Sequence, residues 1–149
     1  MRSFLKYWLP ALIWLGFIFV GSTDVLSAEQ TSRFLVPLLR WLDPQISVAT
    51  IATIHFAVRK LGHLIEYAIL AMLFWRALRR GTNLQMKIST LSASVWVVCA
   101  IFAATDEFHQ SFVPSRTAAL GDVMIDSIGA FVGLAICLMI AARKQLQKI

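Results

Sequence analysis

Four long apolar runs separated by polar stretches organise this chain: about Leu5 to Gly21, Val58 to Arg76, Ile88 to Thr105 and Val123 to Ala142. A helix of ~20 mostly apolar residues crosses the hydrocarbon core of a bilayer, so each run predicts a membrane-spanning helix. The connector between the first two runs has a different pattern. Phe34, Leu35, Leu38, Leu39, Trp41 and Leu42 recur at helical spacing, with Arg33 and Arg40 opposite, which predicts an amphipathic helix lying in the interface. Asp43-Pro44 ends that helix. Apolar character resumes at Ile46, so the second helix is expected to begin near there, ahead of its span. The expected fold is an all-α integral membrane protein, with four transmembrane helices in a bundle plus an outer-face amphipathic interfacial helix. The whole chain, residues 1–149, reads as one domain.

Composition supports this class. Of the 149 residues 58% are hydrophobic and 15% charged, whereas a soluble domain carries roughly a quarter charged residues. The formal charge of +6 comes from short basic runs flanking the apolar spans, so it points to membrane topology and not to a nucleic-acid partner. Cys99 and Cys137 both lie inside apolar runs, without disulfide-framework or metal-ligand spacing, and read as packing residues. Trp8, Trp41 and Trp75 sit near predicted span ends, where aromatic anchors are expected. Trp14 lies too deep for that and is expected to pack on a neighbouring helix.

Charge distribution orients the bundle. Arg2, Lys6, Arg76, Arg79, Arg80, Lys87, Arg143, Lys144 and Lys148 fall on one side, nine of the fourteen basic residues, with no acid among them. The positive-inside rule places that side, and both termini, in the cytoplasm. All eight acids and all three histidines then gather at the opposite, extracytoplasmic end. Leu26-Ser27-Ala28 after the first run resembles a signal-cleavage site, but that run exceeds a usual signal core and is read as a span.

Ionisable groups at membrane depth are costly and point to function by default. On the second helix His55, Arg59, His63 and Tyr67 are spaced by four and Glu66 lies three beyond His63, so they share one face. Glu66 is expected about 10 Å beyond Arg59 along the helix axis, paired with Arg59 or His63 or facing a polar cavity. The third helix ends in Asp106-Glu107-Phe108-His109-Gln110. If it continues to Gln110, Asp106, His109 and Gln110 share a face and Glu107 diverges from it. The pairs His63-x-x-Glu66 and Asp106-x-x-His109 fall short of the ligand count of a di-metal carboxylate bundle, so no metal ligand is assigned. Arg116, after Pro114, offers a planar fork to phosphate or carboxylate, or snorkels to headgroups. Asp122 reads as a helix N-cap. Asp126 lies deeper, and Gly129-x-x-x-Gly133 on nearly the same face allows close helix approach that would carry it inward. Ser22 and Asp24 end the first helix beside the same region, as a turn.

These residues resemble the VanZ-like family of bacterial membrane proteins, named after a protein associated with teicoplanin resistance. The resemblance rests on Arg59-Lys60-x-x-His63-x-x-x-Tyr67-x-x-Leu70, on Asp106-Glu107-x-His109-Gln110-x-Phe112-Val113-Pro114-x-Arg116, and on Asp122, Asp126 and Gly129. Ser115 departs from it, standing where the pattern has glycine before the arginine. The resemblance implies a multi-pass protein of the bacterial cytoplasmic membrane and, by association, lipoglycopeptide susceptibility. It implies no mechanism.

The resulting expectation is a site for an anionic lipid-linked envelope component, recognised or modified at the extracytoplasmic face. Arg59, Lys60, Tyr67, Gln110 and Arg116 are the candidate anion-binding residues, and His63, Glu66, Asp106, His109 and Asp126 the candidate catalytic ones. A non-catalytic envelope factor that alters antibiotic access or lipid composition fits the same residues. A small oligomeric transporter or proton relay fits less well, because the cytoplasmic side has no acids to continue a path. No cofactor is indicated.

Overall fold

The computed structural model of the chain describes residues 2–82, 84–114, 116 and 119–146. Five helices carry it: α1 (Arg2–Ser22), α2 (Ala28–Leu42), α3 (Val48–Gly81), α4 (Ile88–Gln110) and α5 (Leu120–Leu146), with a 3-10 turn at Asp24–Leu26. No strand occurs among the described residues. Helices α1, α3, α4 and α5 are long and apolar enough to cross a membrane. The fifth, α2, is the amphipathic segment, with Phe34, Leu38, Trp41 and Leu42 exposed along it.

Local chemistry sets the helix limits. Ser27 and Ser47 each accept a hydrogen bond from a backbone N–H three residues on, at Gln30 and Thr50, and so cap α2 and α3. Because Ser47 starts α3 at Val48, the helix runs for 34 residues, about 51 Å at the standard rise. That exceeds the ~30 Å hydrocarbon core. The turns ahead of Val58 therefore extend beyond the span, and there His55 hydrogen-bonds Thr31 of α2 at 2.9 Å. Likewise α4 continues past Thr105 to Gln110, which places its polar cluster on helix and not in a loop.

Helix α3 is central, packing most extensively on α5 and also on α1 and α4. Its buried side, with Tyr67, Leu70, Ala71, Phe74 and Trp75, meets Val95, Cys99 and Ala103 of α4 and Ala130 and Leu134 of α5. Apolar residues such as Phe17, Ile65, Ile101 and Phe131 stay exposed, as expected where the surroundings are lipid. Hydrophobicity does not separate inside from outside in such a bundle, so close packing and internal hydrogen bonds decide the contacts.

Two glycines govern the α3–α5 contact. A Cβ at Gly129 would overlap the Leu64 carbonyl oxygen, and one at Gly133 the Ala68 carbonyl oxygen. The backbones therefore approach closely, as Gly-x-x-x-Gly predicts. The two helices run side by side in the same direction, so the α5 turns preceding Gly129 lie beside the α3 turns preceding Leu64. Tryptophans add cross-links: Trp14 donates to the Glu66 carbonyl of α3 at 2.9 Å, and Trp96 of α4 to the Ser127 carbonyl at 3.1 Å. Trp75 does not anchor at an interface as expected. It is only 5% exposed, within the core cluster.

Candidate functional site

The end of the bundle where α1 and α4 finish and α3 and α5 begin encloses a cavity of about 410 Å³. Part of its lining is apolar: Phe34, Leu35 and Leu38 of α2, Ile18 of α1 and Val58 of α3. The same lining carries polar groups: Arg59, His63 and Glu66 of α3, Asp106 and Gln110 of α4, and Arg116. Ser22, Thr31 and His55 complete the polar lining. Helix α2 contributes three of the apolar lining residues, Phe34, Leu35 and Leu38, of which Phe34 and Leu38 stay exposed.

Behind this lining, charged groups are paired between α3 and α5. Asp122, fully buried, accepts from Arg59 Nη2 at 3.2 Å and also from Lys60 Nζ. One turn deeper, His63 Nδ1 meets Asp126 Oδ1 at 3.0 Å, with Asp126 fully buried. That pairing occupies Nδ1 and leaves Nε2 as the ring nitrogen available to a ligand. From α4, Glu107 reaches the same point. Ligand atoms of His63, Glu107 and Asp126 all lie within 4.8 Å of one another, and all three residues are buried. Glu107 Oε2 accepts from the Ala119 backbone N–H at 2.8 Å, tying α4 to the start of α5. Glu107 Oε1 and Asp126 Oδ2 are buried with no hydrogen-bond partner among the described residues.

Arg116 joins the cavity lining from the segment between α4 and α5. Its Nε and Nη2 donate to the Thr23 carbonyl at 3.0 and 2.9 Å, and Nη2 also donates to the Gly21 carbonyl. It thereby caps carbonyls at the end of α1 while still lining the cavity. Burial, and then the nearby Arg59 guanidinium, lower its pKa from the usual arginine value, but an arginine stays protonated in a protein. Ser115 lies outside the described residues.

The chain matches the VanZ/LLP1 family model over residues 7–141, nearly its whole length and all four apolar helices. It belongs to the VanZ/LLP1 family. No curated protein and no solved structure matches it.

In this VanZ/LLP1 chain six of the ten sequence-derived candidates line one cavity: Arg59, His63, Glu66, Asp106, Gln110 and Arg116. Asp126 stands directly behind His63, and Lys60 behind Arg59 through Asp122. The other two point elsewhere. Tyr67 is 1% exposed in the core, with its hydroxyl unpartnered among the described residues. His109 turns to α1, bonded to Ser22 Oγ at 3.0 Å with its ring 4.8 Å from that of Phe19. Asp106 and Gln110 do share a face, joined by a 3.0 Å bond from Gln110 Nε2, but His109 is not on the cavity side of it. Among the described residues no ion pair joins Glu66 to His63, which is engaged by Asp126, while Arg59 is held by Asp122.

Glu107 and Asp122 stand in the sequence motifs but outside the ten candidate site residues. Asp122 is no N-cap: it is the third residue of α5 and a buried ion-pair partner. Glu107 lies on a stripe that burial reveals, since the buried residues of α4 run Leu91, Val95, Cys99, Ala103, Glu107. That four-residue stripe, traced from the apolar part of the helix, leads straight to the glutamate.

Proposed function

We propose that this protein recognises an anionic lipid-linked component of the cell envelope, held in the α2-lined cavity at the extracytoplasmic face of the bacterial cytoplasmic membrane. The observation that carries the reading is one cavity whose lining joins apolar side chains to two arginines and a histidine. An acyl or isoprenoid chain suits Phe34, Leu35 and Leu38, while a phosphate suits Arg59 and Arg116, whose planar guanidinium groups donate charge-assisted hydrogen bonds to phosphate oxygens. Lys60 supports Arg59 by sharing Asp122. His63 Nε2 is the nitrogen available to the headgroup, as a hydrogen-bonding group in recognition or as general base in turnover. Glu66, Asp106 and Gln110 complete the polar lining, and Tyr67 and His109 hold the helices that carry it.

The test is binding of undecaprenyl phosphate and undecaprenyl diphosphate to the purified protein in detergent or nanodiscs, with phosphatidylcholine as the zwitterionic comparison. Saturable binding that prefers the anionic lipids and weakens roughly tenfold in Arg59→Gln is expected, the loss of one charge-assisted contact. Equal binding of phosphatidylcholine, or none of either anionic lipid, overturns the reading. Turnover is measured in the same samples, where loss in His63→Ala with binding retained would identify the base. We extend the proposal to glycopeptide action: expression in a teicoplanin-susceptible host is expected to reduce susceptibility, and Arg59→Gln to remove the effect.

A further inference from the structure

The buried cluster behind the cavity has a feature that lipid recognition does not use. Asp126 and Glu107 face each other across the α4–α5 contact, at 0% and 5% exposure. Among the described residues neither has an ion pair with lysine or arginine, since Arg59 and Lys60 are drawn to Asp122. Asp126 has His63 and Glu107 has a backbone N–H, yet one oxygen of each carboxylate has no partner. Burying two carboxylates in this way is costly unless a cation or further donors compensate, and within a membrane no solvent can stand in.

From this geometry we infer that His63, Glu107 and Asp126 hold a divalent transition-metal ion of the Zn²⁺ or Mn²⁺ kind. One imidazole and two carboxylates suit ions that accept both nitrogen and oxygen. Such ligands lie about 2.0–2.2 Å from the metal, and donor atoms already within 4.8 Å of one another need only small side-chain rotations to reach it. The two negative charges match the ion. His63 binds through Nδ1, the nitrogen that already faces Asp126, and the ring proton passes from Nδ1 to Nε2, so that a neutral imidazole holds the ion. The metal and a headgroup then use opposite nitrogens of His63, and a metal on Nδ1 makes Nε2–H a hydrogen-bond donor, so in the metal-bound protein His63 serves recognition and not as a general base. Since His63 is the member of the trio that lines the cavity, the ion lies at the back of the cavity wall. The α3–α5 and α4–α5 contacts would both be pinned by it.

The experiment needs no lipid, so its outcome is separate from that of the recognition proposal. Purified protein is stripped with chelator, offered Zn²⁺ or Mn²⁺, desalted, and its metal content and melting temperature are measured. One ion per chain and a raised melting temperature are expected, with retention reduced roughly tenfold or more in Glu107→Gln and in Asp126→Asn. Glu29→Gln, which alters an exposed acid of α2, should retain the ion fully. Uptake should weaken as pH falls, because protons compete for the same ligands. X-ray absorption at the metal edge of the wild type provides a reading that does not depend on variants folding, and one imidazole nitrogen with oxygen neighbours is the expected shell. Negligible uptake of both metals overturns the inference. Full retention in both carboxylate variants, or a shell lacking imidazole, overturns it as well.

Discussion

At the scale of single residues the pairing of charges explains why neighbouring acids play different parts. Asp122 takes both cations that α3 presents, Arg59 and Lys60, whose side chains are only 23% and 21% exposed. Asp126, one turn deeper, is left with an imidazole. Removing a buried partner strands the charge opposite it, which costs more than the pair itself contributes. Asp122→Asn is therefore expected to destabilise the protein by on the order of 3 kcal/mol, read as a lowered thermal or denaturant midpoint in detergent. Asp43→Asn, at an exposed acid in the turn after α2, should leave the midpoint unchanged. An Asp122→Asn midpoint equal to wild type would show that Arg59 and Lys60 relax to other partners, and the ion pairs would then carry little of the fold.

At the scale of helices the cavity depends on two contacts of different kinds. Helix α2 lines it with apolar residues, and α5 reaches α3 through Gly129 and Gly133, where backbone meets backbone. An added methyl has no space there. Gly133→Ala is expected to force the helices apart at a cost of about 1–3 kcal/mol, the usual range for overpacking, and to loosen the His63–Asp126 pair one to two turns away. Gly16→Ala of α1, where a Cβ would meet nothing within 4 Å, should be neutral or slightly stabilising, since alanine is the better helix former. Comparing the two midpoints separates helix propensity from packing. Equal midpoints would mean that the close α3–α5 approach is not required.

At the scale of the whole molecule, polarity and topology reinforce one another. The expected arrangement has both termini in the cytoplasm and the cavity at the opposite face, from the bias of nine basic residues over five. A fluorescent protein fused after Ile149 is expected to fluoresce, and an alkaline phosphatase fused there to be inactive. A single cysteine at Asp43, with Cys99 and Cys137 replaced by alanine, should react with an impermeant maleimide added from outside. An active phosphatase fusion together with a protected residue 43 would invert the topology and move the cavity to the cytoplasmic side. The lipid proposal would then need a cytoplasmic ligand. The metal site would be unaffected, since its ligands are buried from either face.

Much of this was determined along the chain itself. Run length and composition define four spans, because a bilayer sets the length an apolar helix needs. Helical spacing places Arg59, His63 and Glu66 on one face of α3, and Gly129 with Gly133 marks the close contact that carries Asp126 inward. Other features were decided only by tertiary structure. Periodicity tells which residues of α4 share a face, but not which neighbour that face meets. Asp106 and Gln110 were grouped with His109, yet α1 captures His109 through Ser22, and the buried stripe of α4 delivers Glu107 to His63 and Asp126. Arg116 reads as a free fork in sequence, while in the fold its Nε and Nη2 donate to the carbonyls ending α1 and only Nη1 has no partner among the described residues. In each case the deciding quantity was a distance between groups far apart in the sequence, and in a membrane bundle, where apolar residues face both lipid and core, no pattern within one helix encodes it.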